Sequence, residues 1–365
     1  PCPMSTQVEQ LESALMAAIG RALDSGALKG LAPESIKLER PKDRTHGDYA
    51  SSIALQLAKP AGINPREVAQ IIADQLTGVD GISKVDIAGP GFINITLDRA
   101  TQAALVETIL KSTKDFGKGN ALAGIKINLE FISANPTGPL HLGHTRWAAV
   151  GDALGRVLTA AGAEVTREFY INDRGRQMDL FGQSVQAAAT GQPIPEDGYQ
   201  GNYITDLAKE VVAANPKIAT SEEFREAAYK VQLAQQQRVL ETFHTTFDVW
   251  FSERSLHESG AVEHGLEKLR SQGHVFEEAG AVWLRTTDFG DDKDRVIVKE
   301  DGALTYFASD TAYYINKRER GFDICIYMLG ADHHGYIHRL KATAACAGDN
   351  PEYNIEIMIG QLVKI

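Results

Sequence analysis

The feature that most constrains the fold is a loop rich in proline and glycine that joins a strand pattern to a helix pattern. Residues 125–132 have the pattern of a strand, and residues 144–161 have the apolar spacing of a helix. Residues 136–139, between them, include two prolines and a glycine, which favour a fixed turn. Another strand pattern occupies residues 164–170. This order of strand, helix and strand predicts a parallel sheet, and therefore an α/β fold.

The flanking segments predict how the rest of the chain is organised. Residues 1–115 combine helical spacing at 7–23, 49–58 and 65–76 with strand patterns at 85–88 and 92–97, and predict a small α+β domain. Residues 120–180 and 301–365 carry the patterns of the parallel sheet, as two parts of one domain. Residues 181–300 are mostly polar and helical, with a predicted antiparallel strand pair at 282–285 and 295–299. They predict a helical and hairpin insertion in the sheet domain.

The net charge of −11 argues weakly against a protein that binds nucleic acid, but the charge is uneven. Residues 1–125 hold 13 Lys and Arg against 14 Asp and Glu, so the negative excess lies almost entirely in the later residues. The less acidic part contains a basic cluster, which we define as Lys37, Arg40, Lys42 and Arg44. Without other evidence, such a cluster is best interpreted as a solvated loop.

Cysteine and apolar patterning indicate the compartment. Cys2, Cys325 and Cys346 lack the paired spacing of a disulfide framework or a zinc ribbon. No run approaches the roughly 18 apolar residues of a membrane span, and the first residues lack the pattern of a secretory signal. We therefore expect a protein of the reducing cytoplasm with no membrane partner.

The loop also carries residues suited to nucleotide chemistry. It lies at the carboxyl end of a predicted parallel strand, where open α/β folds bind ligands, and the N–H groups of the following helix start attract phosphate. His141 and His144 are three residues apart, and both can donate hydrogen bonds to phosphate oxygens as charge develops. Gly143 has no side chain, so a flat base could lie against its backbone. Two histidines near a helix start are nevertheless more often solvated or capping than catalytic.

At this point the sequence resembles a known family. The HxGH pattern of His141 to His144 in a strand, loop and helix is similar to the signature of class I aminoacyl-tRNA synthetases, and residues 130–139 resemble the arginyl-tRNA synthetases in particular. Residues 46–50, 88–94, 169–173 and 301–310 agree with that family. The resemblance implies a Rossmann-type catalytic domain behind an N-terminal domain that contacts tRNA. It also implies an arginine–tRNA ligase that uses ATP with Mg²⁺, L-arginine and tRNA(Arg), and we expect a cytoplasmic monomer.

The resemblance assigns roles to particular residues. His141 and His144 are expected to be catalytic. The expected ATP-binding residues are Ala134, Asn135, Pro136, Thr137, Gly138, Pro139, Leu140, His141, Leu142, Gly143 and His144. The expected arginine-binding residues are Glu130, Ser133, Asn135, Tyr306, Asp310 and His334, and the expected tRNA-binding residues are those of the basic cluster, Lys37, Arg40, Lys42 and Arg44.

Physical chemistry favours the same ligand. A guanidinium has five donors in a rigid fork and pairs best with carboxylates, so Glu130, Tyr306 and Asp310 could enclose it. Tyr306 and Asp310 lie four residues apart and would share a helix face. His334 stands where the family often has a glutamine, and with His338 it has the spacing of two metal ligands. With no HExxH pattern and no cysteine nearby, no protein-bound metal is predicted.

Two other functions and one expectation about the chain end stay open. A small-molecule adenylyltransferase would share HxGH, although it would not explain Glu130, Asp310 or the first domain. A non-catalytic paralogue that binds RNA or arginine is the other alternative. The family's second ATP-binding signature and its helical anticodon-binding domain are not found, and residues 361–365 form an apolar run without a terminator. We therefore expect a C-terminally truncated member that does not complete aminoacylation.

Overall fold

The computed structural model describes residues 7–331 and 335–361 of the chain. It contains two compact units, Pro1–Lys118 and Gly119–Ile365. None of the described helices is both long and apolar enough to cross a membrane.

The first unit packs helices against an antiparallel sheet. Its helices are α1 (Gln7–Asp24), α2 (Ile53–Ala61), α3 (Pro65–Leu76) and α4 (Arg99–Ser112), and its strands are β1 (Leu38–Glu39), β2 (Tyr49–Ser51), β3 (Ile82–Ala88) and β4 (Phe92–Leu97). The strand order is β1-β2-β4-β3. The apolar stripe of α1, with Leu15, Ala18 and Ile19 fully buried, faces a core completed by α2, α3 and the sheet. The unit thus has its own hydrophobic core.

One predicted helix in this unit begins too early. The sequence predicted a helix over residues 49–58, but Tyr49–Ser51 is a strand that pairs with β4, and α2 starts only at Ile53. The side chains of Tyr49 and Ser51 are both buried, which is the alternation of a strand. Gly47 fixes the approach to this strand, because a Cβ there would lie 2.7 Å from the carbonyl oxygen of Ile95.

The second unit is built on a parallel sheet. Before the helical segment come β5 (Lys126–Glu130), α5 (Leu142–Ala160) and β6 (Glu164–Ile171); then follow α6 (Arg176–Thr190), α7 (Asn202–Ala214), α8 (Ser221–Thr242), β7 (Val249–Ser252), α9 (Glu253–Glu258), α10 (Ala261–Ser271), β8 (Val275–Glu278), β9 (Ala281–Leu284), β10 (Arg295–Val298), α11 (Tyr306–Glu319), β11 (Ile324–Gly330), α12 (Tyr336–Cys346) and β12 (Ile355–Gly360). The five-stranded sheet has the order β12-β11-β5-β6-β7, with every neighbouring pair parallel. The predicted α/β fold class is confirmed.

Helices cover both faces of this sheet. On one face, Ala148 of α5 and Leu240 of α8 join a core that contains Phe131 and Phe169. On the other face, α10, α11 and α12 pack on side chains such as Tyr327. Strand β5 is central in the sheet: the chain continues from it to β6 on one side, and β11 lies on its other side. In sheets of this kind, ligands bind in the crevice at the carboxyl end of such a strand.

The range predicted as an insertion, residues 181–300, has three parts in the structure. Helices α6, α7 and α8 form a small bundle around Phe181, Ile204 and Phe224. Strand β7 then adds to the edge of the parallel sheet, and helices α9 and α10 after it pack into the core on that sheet with α11 and α12. Strands β8, β9 and β10 form a separate antiparallel sheet of order β10-β9-β8, which includes the predicted strand pair.

Candidate active site

The loop after β5 is held in an unusual backbone conformation. Ile132 and Ser133 have positive φ angles of 69° and 47°, which non-glycine residues rarely adopt and which cluster at functional sites. The Ser133 hydroxyl donates to Glu130 Oε1 at 3.1 Å and accepts from the backbone N–H of Tyr170 at 3.2 Å. The loop is therefore fastened to the ends of both β5 and β6 where it begins.

The two histidines of the signature cap helix α5 with their own rings. His141 Nδ1 accepts from the Gly143 N–H at 3.1 Å, and His144 Nδ1 accepts from the His141 N–H at 3.1 Å. The ring centroids lie 3.9 Å apart. Because an accepting Nδ1 carries no proton, each neutral imidazole must carry its proton on Nε2. The capping arrangement therefore leaves each histidine with one free Nε2–H donor.

Burial keeps His144 neutral. It lowers the pKa of His144 to about 4, with a further lowering from the neighbouring His141, and the backbone hydrogen bond to His141 only partly opposes this. Both histidines line a cavity of about 680 Å³ between the start of α5 and the end of α8, which Arg238 and Phe243 also line. At neutral pH His144 is therefore a hydrogen-bond donor without a formal charge.

A second cavity, of about 320 Å³, lies at the carboxyl end of β5. Five of the six residues predicted to bind arginine line it: Glu130, Ser133, Asn135, Tyr306 and Asp310. The sixth, His334, lies outside the described residues. The structure adds wall residues that sequence reasoning did not find, which are Tyr170, Asn172, Glu253, Ser309, Tyr313, Tyr327 and Tyr336. We call this the acidic pocket.

Its carboxylates are poised for a cation. The pKa of Asp310 is raised to about 7, chiefly by burial and also by the charges of Glu253 and Glu130, while Arg339 opposes the rise. Burial also raises the pKa of Glu253, against a hydrogen bond from Tyr170. Three carboxylates that face one small cavity repel one another, so a bound cation would relieve that repulsion.

One of these carboxylates already has a partner inside the protein. Lys317, which is fully buried on α11, donates to Glu130 Oε2 at 2.6 Å. Its ammonium lies 3.8 Å from the ring centre of Tyr327 and 4.3 Å from that of Tyr313. Sequence reasoning missed Lys317, although it stands seven residues after Asp310 and therefore shares its helix face. The ion pair fixes the orientation of the Glu130 carboxylate.

The neighbouring strand has a matching acid. Glu168 of β6 pairs with Glu130 across the two strands and is fully buried. Arg320 binds both its oxygens, at 2.6 and 2.9 Å, and the hydroxyl of Tyr313 donates to it. These partners lower the pKa of Glu168 against the opposing effect of burial. Lys317 of α11 and Arg320, the residue that directly follows this helix, thus each bind one of the two buried acids under the pocket.

The remaining predicted residues lie elsewhere. The four residues of the basic cluster are exposed on the first unit, where Lys37 pairs with Glu39 at 3.1 Å and the Arg40 guanidinium lies 5.6 Å over the ring of Tyr49. Among the described residues, no group of three or more His, Cys, Asp and Glu could hold a metal. Cys325 and Cys346 are free and buried.

Two family models of known proteins match this chain. The family model described as "tRNA synthetases class I (R), catalytic domain" matches residues 105–249 and 230–359. The second unit is thus the catalytic domain of a class I aminoacyl-tRNA synthetase. The model described as "Arginyl tRNA synthetase N terminal domain" matches residues 9–97. The chain belongs to the arginyl-tRNA synthetase family, and the predicted resemblance is confirmed.

Individual relatives agree with the family. An arginine–tRNA ligase of Paenarthrobacter aurescens is 54% identical over 98% of this chain and 67% of its own length. That of Renibacterium salmoninarum is 55% identical over 98% of this chain and 67% of its own. A crystal structure of an arginyl-tRNA synthetase from Thermus thermophilus matches 98% of this chain and 66% of that chain, with a TM-score of 0.73 at 20% identity. The chain therefore spans about two thirds of the length of these relatives.

Proposed function

We propose that this chain carries the adenylate-forming part of an arginine–tRNA ligase. The observation that carries the proposal is the acidic pocket, which opens beside the loop that leads to the two histidines. Arginine plus ATP would give arginyl-adenylate and pyrophosphate, and the arginyl group would then pass to the 3′ end of tRNA(Arg). Family membership supports the reaction, and the pocket supports the amino acid.

The acidic pocket suits a guanidinium better than an ammonium. In our proposal the guanidinium lies among Asp310, Glu130 and the Tyr306 hydroxyl, with charge-assisted hydrogen bonds to both carboxylates. Lysine presents only three donors on a compact head, so it would leave part of the buried carboxylate surface unpaired. Asn135, in the signature loop, would hold the main-chain end of the amino acid, and Ser133 would keep the loop on β5. His334 is proposed as a further contact.

The chemical step is a displacement at phosphorus. A carboxylate oxygen of arginine would form a bond to the α-phosphorus of ATP while the bond from that phosphorus to the bridging oxygen breaks, and pyrophosphate leaves with the electron pair. The Nε2–H groups of His141 and His144 would donate to the phosphate oxygens as negative charge grows there. The backbone of residues 134–144 would cradle the nucleotide at the start of α5. No proton transfer by a histidine is required.

Magnesium would enter with ATP. Mg²⁺ prefers oxygen ligands, and the described residues around the histidine cavity include no carboxylate. The fit therefore favours an ion carried by the phosphates rather than a resident protein site. When bound, Mg²⁺ would neutralise part of the triphosphate charge.

The first unit would bind tRNA outside the acceptor end and the anticodon. Its charge is almost balanced in an acidic chain, and the exposed basic cluster offers cations to phosphates. We further propose that the protein acts as a monomer in the cytoplasm.

The test of this function is arginine-dependent exchange of pyrophosphate into ATP, with and without tRNA(Arg). The proposal expects exchange that requires arginine and is not supported by lysine or citrulline. Exchange that needed no arginine would favour a small-molecule adenylyltransferase. Binding of arginine without any exchange, under every condition, would favour a non-catalytic paralogue.

A further inference from the structure

The signature loop has almost no backbone hydrogen bonds of its own. Pro136 and Thr137 form a turn, but within the described residues no backbone N–H makes a well-aligned hydrogen bond to a carbonyl of residues 134–140. A loop with so few internal bonds depends on its surroundings for a single conformation. The loop nevertheless has to place both Asn135 and His141, so what holds it matters for the proposed chemistry.

The helical bundle supplies the missing bonds. The side-chain amide of Gln236, on α8, donates to the carbonyl oxygens of Asn135 at 2.9 Å and Gly138 at 2.8 Å. The hydroxyl of Tyr203, on α7, donates to the Thr137 carbonyl oxygen at 3.1 Å. Three carbonyls of the loop are therefore bound by two side chains that lie more than 60 residues away in the sequence.

The three hydrogen bonds are partly buried. Gln236 is 1% exposed, and Thr137 is 4% exposed. The Tyr203 ring also packs against Gly138, because a Cβ there would lie 3.8 Å from a ring carbon. Water replaces a partly buried hydrogen bond less readily than an exposed one, so each of these bonds holds the loop more strongly than an exposed bond would.

Helix α8 also contacts the segment that follows β6, near the acidic pocket. The Tyr229 hydroxyl donates to Asp173 Oδ2 at 3.2 Å, immediately after the pocket residue Asn172. Tyr229 precedes Gln236 by seven residues, which is two helical turns. Helix α8 therefore binds the loops that follow β5 and β6, the two central strands that border the acidic pocket.

We propose that Gln236 and Tyr203 are positioning residues for adenylate formation. In this proposal the inserted helices α7 and α8 set the conformation of residues 135–138, beyond the point where Ser133 fastens the signature loop to the parallel sheet. This inference rests on the proposed function for its catalytic meaning. Neither side chain touches the reacting atoms. Both act through the backbone of the loop. The side chain of Asn135, in this loop, lines the acidic pocket, and His141 and His144 come directly after the loop in the sequence.

The chain offers a matched control for the main test. Gln232 lies one turn before Gln236 on α8 and is also 1% exposed, but neither polar atom of its side chain has a hydrogen-bond partner within the described residues. Replacing either glutamine with methionine keeps the length of the side chain and removes the amide. Q236M and Q232M thus differ in one respect, which is the loss of the bonds to the loop.

The experiment measures amide hydrogen exchange in residues 134–141 of the whole chain and, by calorimetry, the affinity for a non-hydrolysable arginyl-adenylate analogue and for arginine alone. For Q236M we expect faster loop exchange and an analogue affinity lower by about tenfold, with a smaller change for arginine alone, because the lost bonds act on the loop. Y203F should act in the same direction. Q232M should resemble the wild type, and thermal unfolding checks that each variant folds.

Two results would overturn the inference. One is a Q236M variant whose loop exchange and analogue affinity match the wild type. The other is a Q232M variant that loses as much as Q236M, since that would indicate general loosening of α8. If the wild type failed to bind the analogue, that result would count against the proposed function alone. The rates of amide hydrogen exchange in Q236M and Q232M would still show whether Gln236 holds the loop.

Discussion

At the scale of one residue, the raised pKa of Asp310 predicts that arginine binding depends on pH. In the free protein its pKa is raised to about 7, by burial first and then by Glu253 on α9 and Glu130 on β5, against Arg339 on α12. A guanidinium binds the ionised carboxylate, so below pH 7 binding must first remove a proton. We expect the association constant for arginine to rise about tenfold per pH unit below pH 7 and to level off above it.

Calorimetry across pH 5.5 to 8.5 in buffers of different ionisation enthalpy would measure both the affinity and the released proton. Asp310→Asn should weaken arginine binding by about 2–4 kcal/mol at pH 8, because the guanidinium loses a charge partner in a buried site. The variant should also lose the pH dependence. Wild-type affinity that stayed flat from pH 5.5 to 8.5 would remove Asp310 from the contact with arginine.

His144 should behave as a neutral donor rather than an acid. Its pKa of about 4 means that its charge does not change between pH 5.5 and 8, so the rate of adenylate formation should show no step from this group in that range. His144→Ala should lower that rate by about 10²-fold or more, with little change in arginine affinity. His264→Ala is the control, because His264 is exposed and pairs with Glu319 on a distant part of the unit. An unchanged turnover in His144→Ala would exclude the residue from the mechanism.

Sequence reasoning reached the residues that a motif marks and missed those that only packing brings in. Asp310 and Asn135 were found because they stand in strings that resemble a family. Glu253 and Lys317 were missed, since an acid at a helix start and a lysine in the last turn of a helix normally lie in solvent. Only the contact between α11 and the end of β5 buries Lys317 against Glu130.

At the scale of the element, helix α5 packs very closely against the segment that follows β5, at Gly151. Gly151 lies on α5, and a Cβ there would come within 2.3 Å of the ring of Phe131, which is fully buried and directly precedes Ile132. Gly151→Ala should therefore lower the free energy of unfolding of the second unit by about 1–3 kcal/mol, because the dense core cannot absorb the extra methyl group. Chemical denaturation would measure the change.

Gly20→Ala provides the comparison at a helical glycine with open space. Nothing lies within 4 Å of a Cβ at Gly20 in α1, so alanine should raise the free energy of unfolding of the first unit by about 0.5–1 kcal/mol. If both substitutions were equally stabilising, the close approach of Phe131 to α5 would be wrong.

Elements were predictable where their local pattern was strong. The strand of residues 92–97 and the helix after the signature loop were found within two residues of their observed bounds. Strand β7 was not found, because its four residues lack alternation and gain their structure from pairing with β6. Tyr49–Ser51 was taken for helix because its small, mixed residues suit either state until β4 pairs with them.

At the scale of the whole molecule, the net charge is distributed unevenly along the chain. The chain carries −11 overall, whereas its first 125 residues are almost neutral. Neutralising the basic cluster with glutamine at Lys37, Arg40, Lys42 and Arg44 should weaken tRNA binding and leave arginine binding unchanged. The slope of log K against log salt should become shallower by about 0.7–0.9 for each phosphate contact that is lost.

The control for this variant removes the same charge elsewhere on the first unit. Lys59, Lys84, Lys111 and Lys114 are also exposed, and their joint replacement by glutamine changes the net charge equally. Filter binding of tRNA at several salt concentrations would compare the two variants. Equal losses in both would indicate a general charge effect, and no loss in the first would leave the basic cluster as a solvated loop.

The two units should also be separable. Among the side chains that the structure describes, the core of the first unit contains only ones that precede residue 98, and every residue described in the acidic pocket lies in Gly119–Ile365. A unit with its own core can fold alone.

Residues 119–365, expressed by themselves, should therefore bind arginine within about twofold of the whole chain. They should also keep the same pH dependence, because the charges that raise the pKa of Asp310 are all retained. Residues 1–118 should unfold cooperatively and bind tRNA with an affinity that falls as salt rises. Calorimetry with arginine and salt titrations with tRNA on the separate pieces would measure both. A loss of arginine affinity of tenfold or more in residues 119–365, in a piece that still unfolds cooperatively, would mean that the first unit helps to form the pocket.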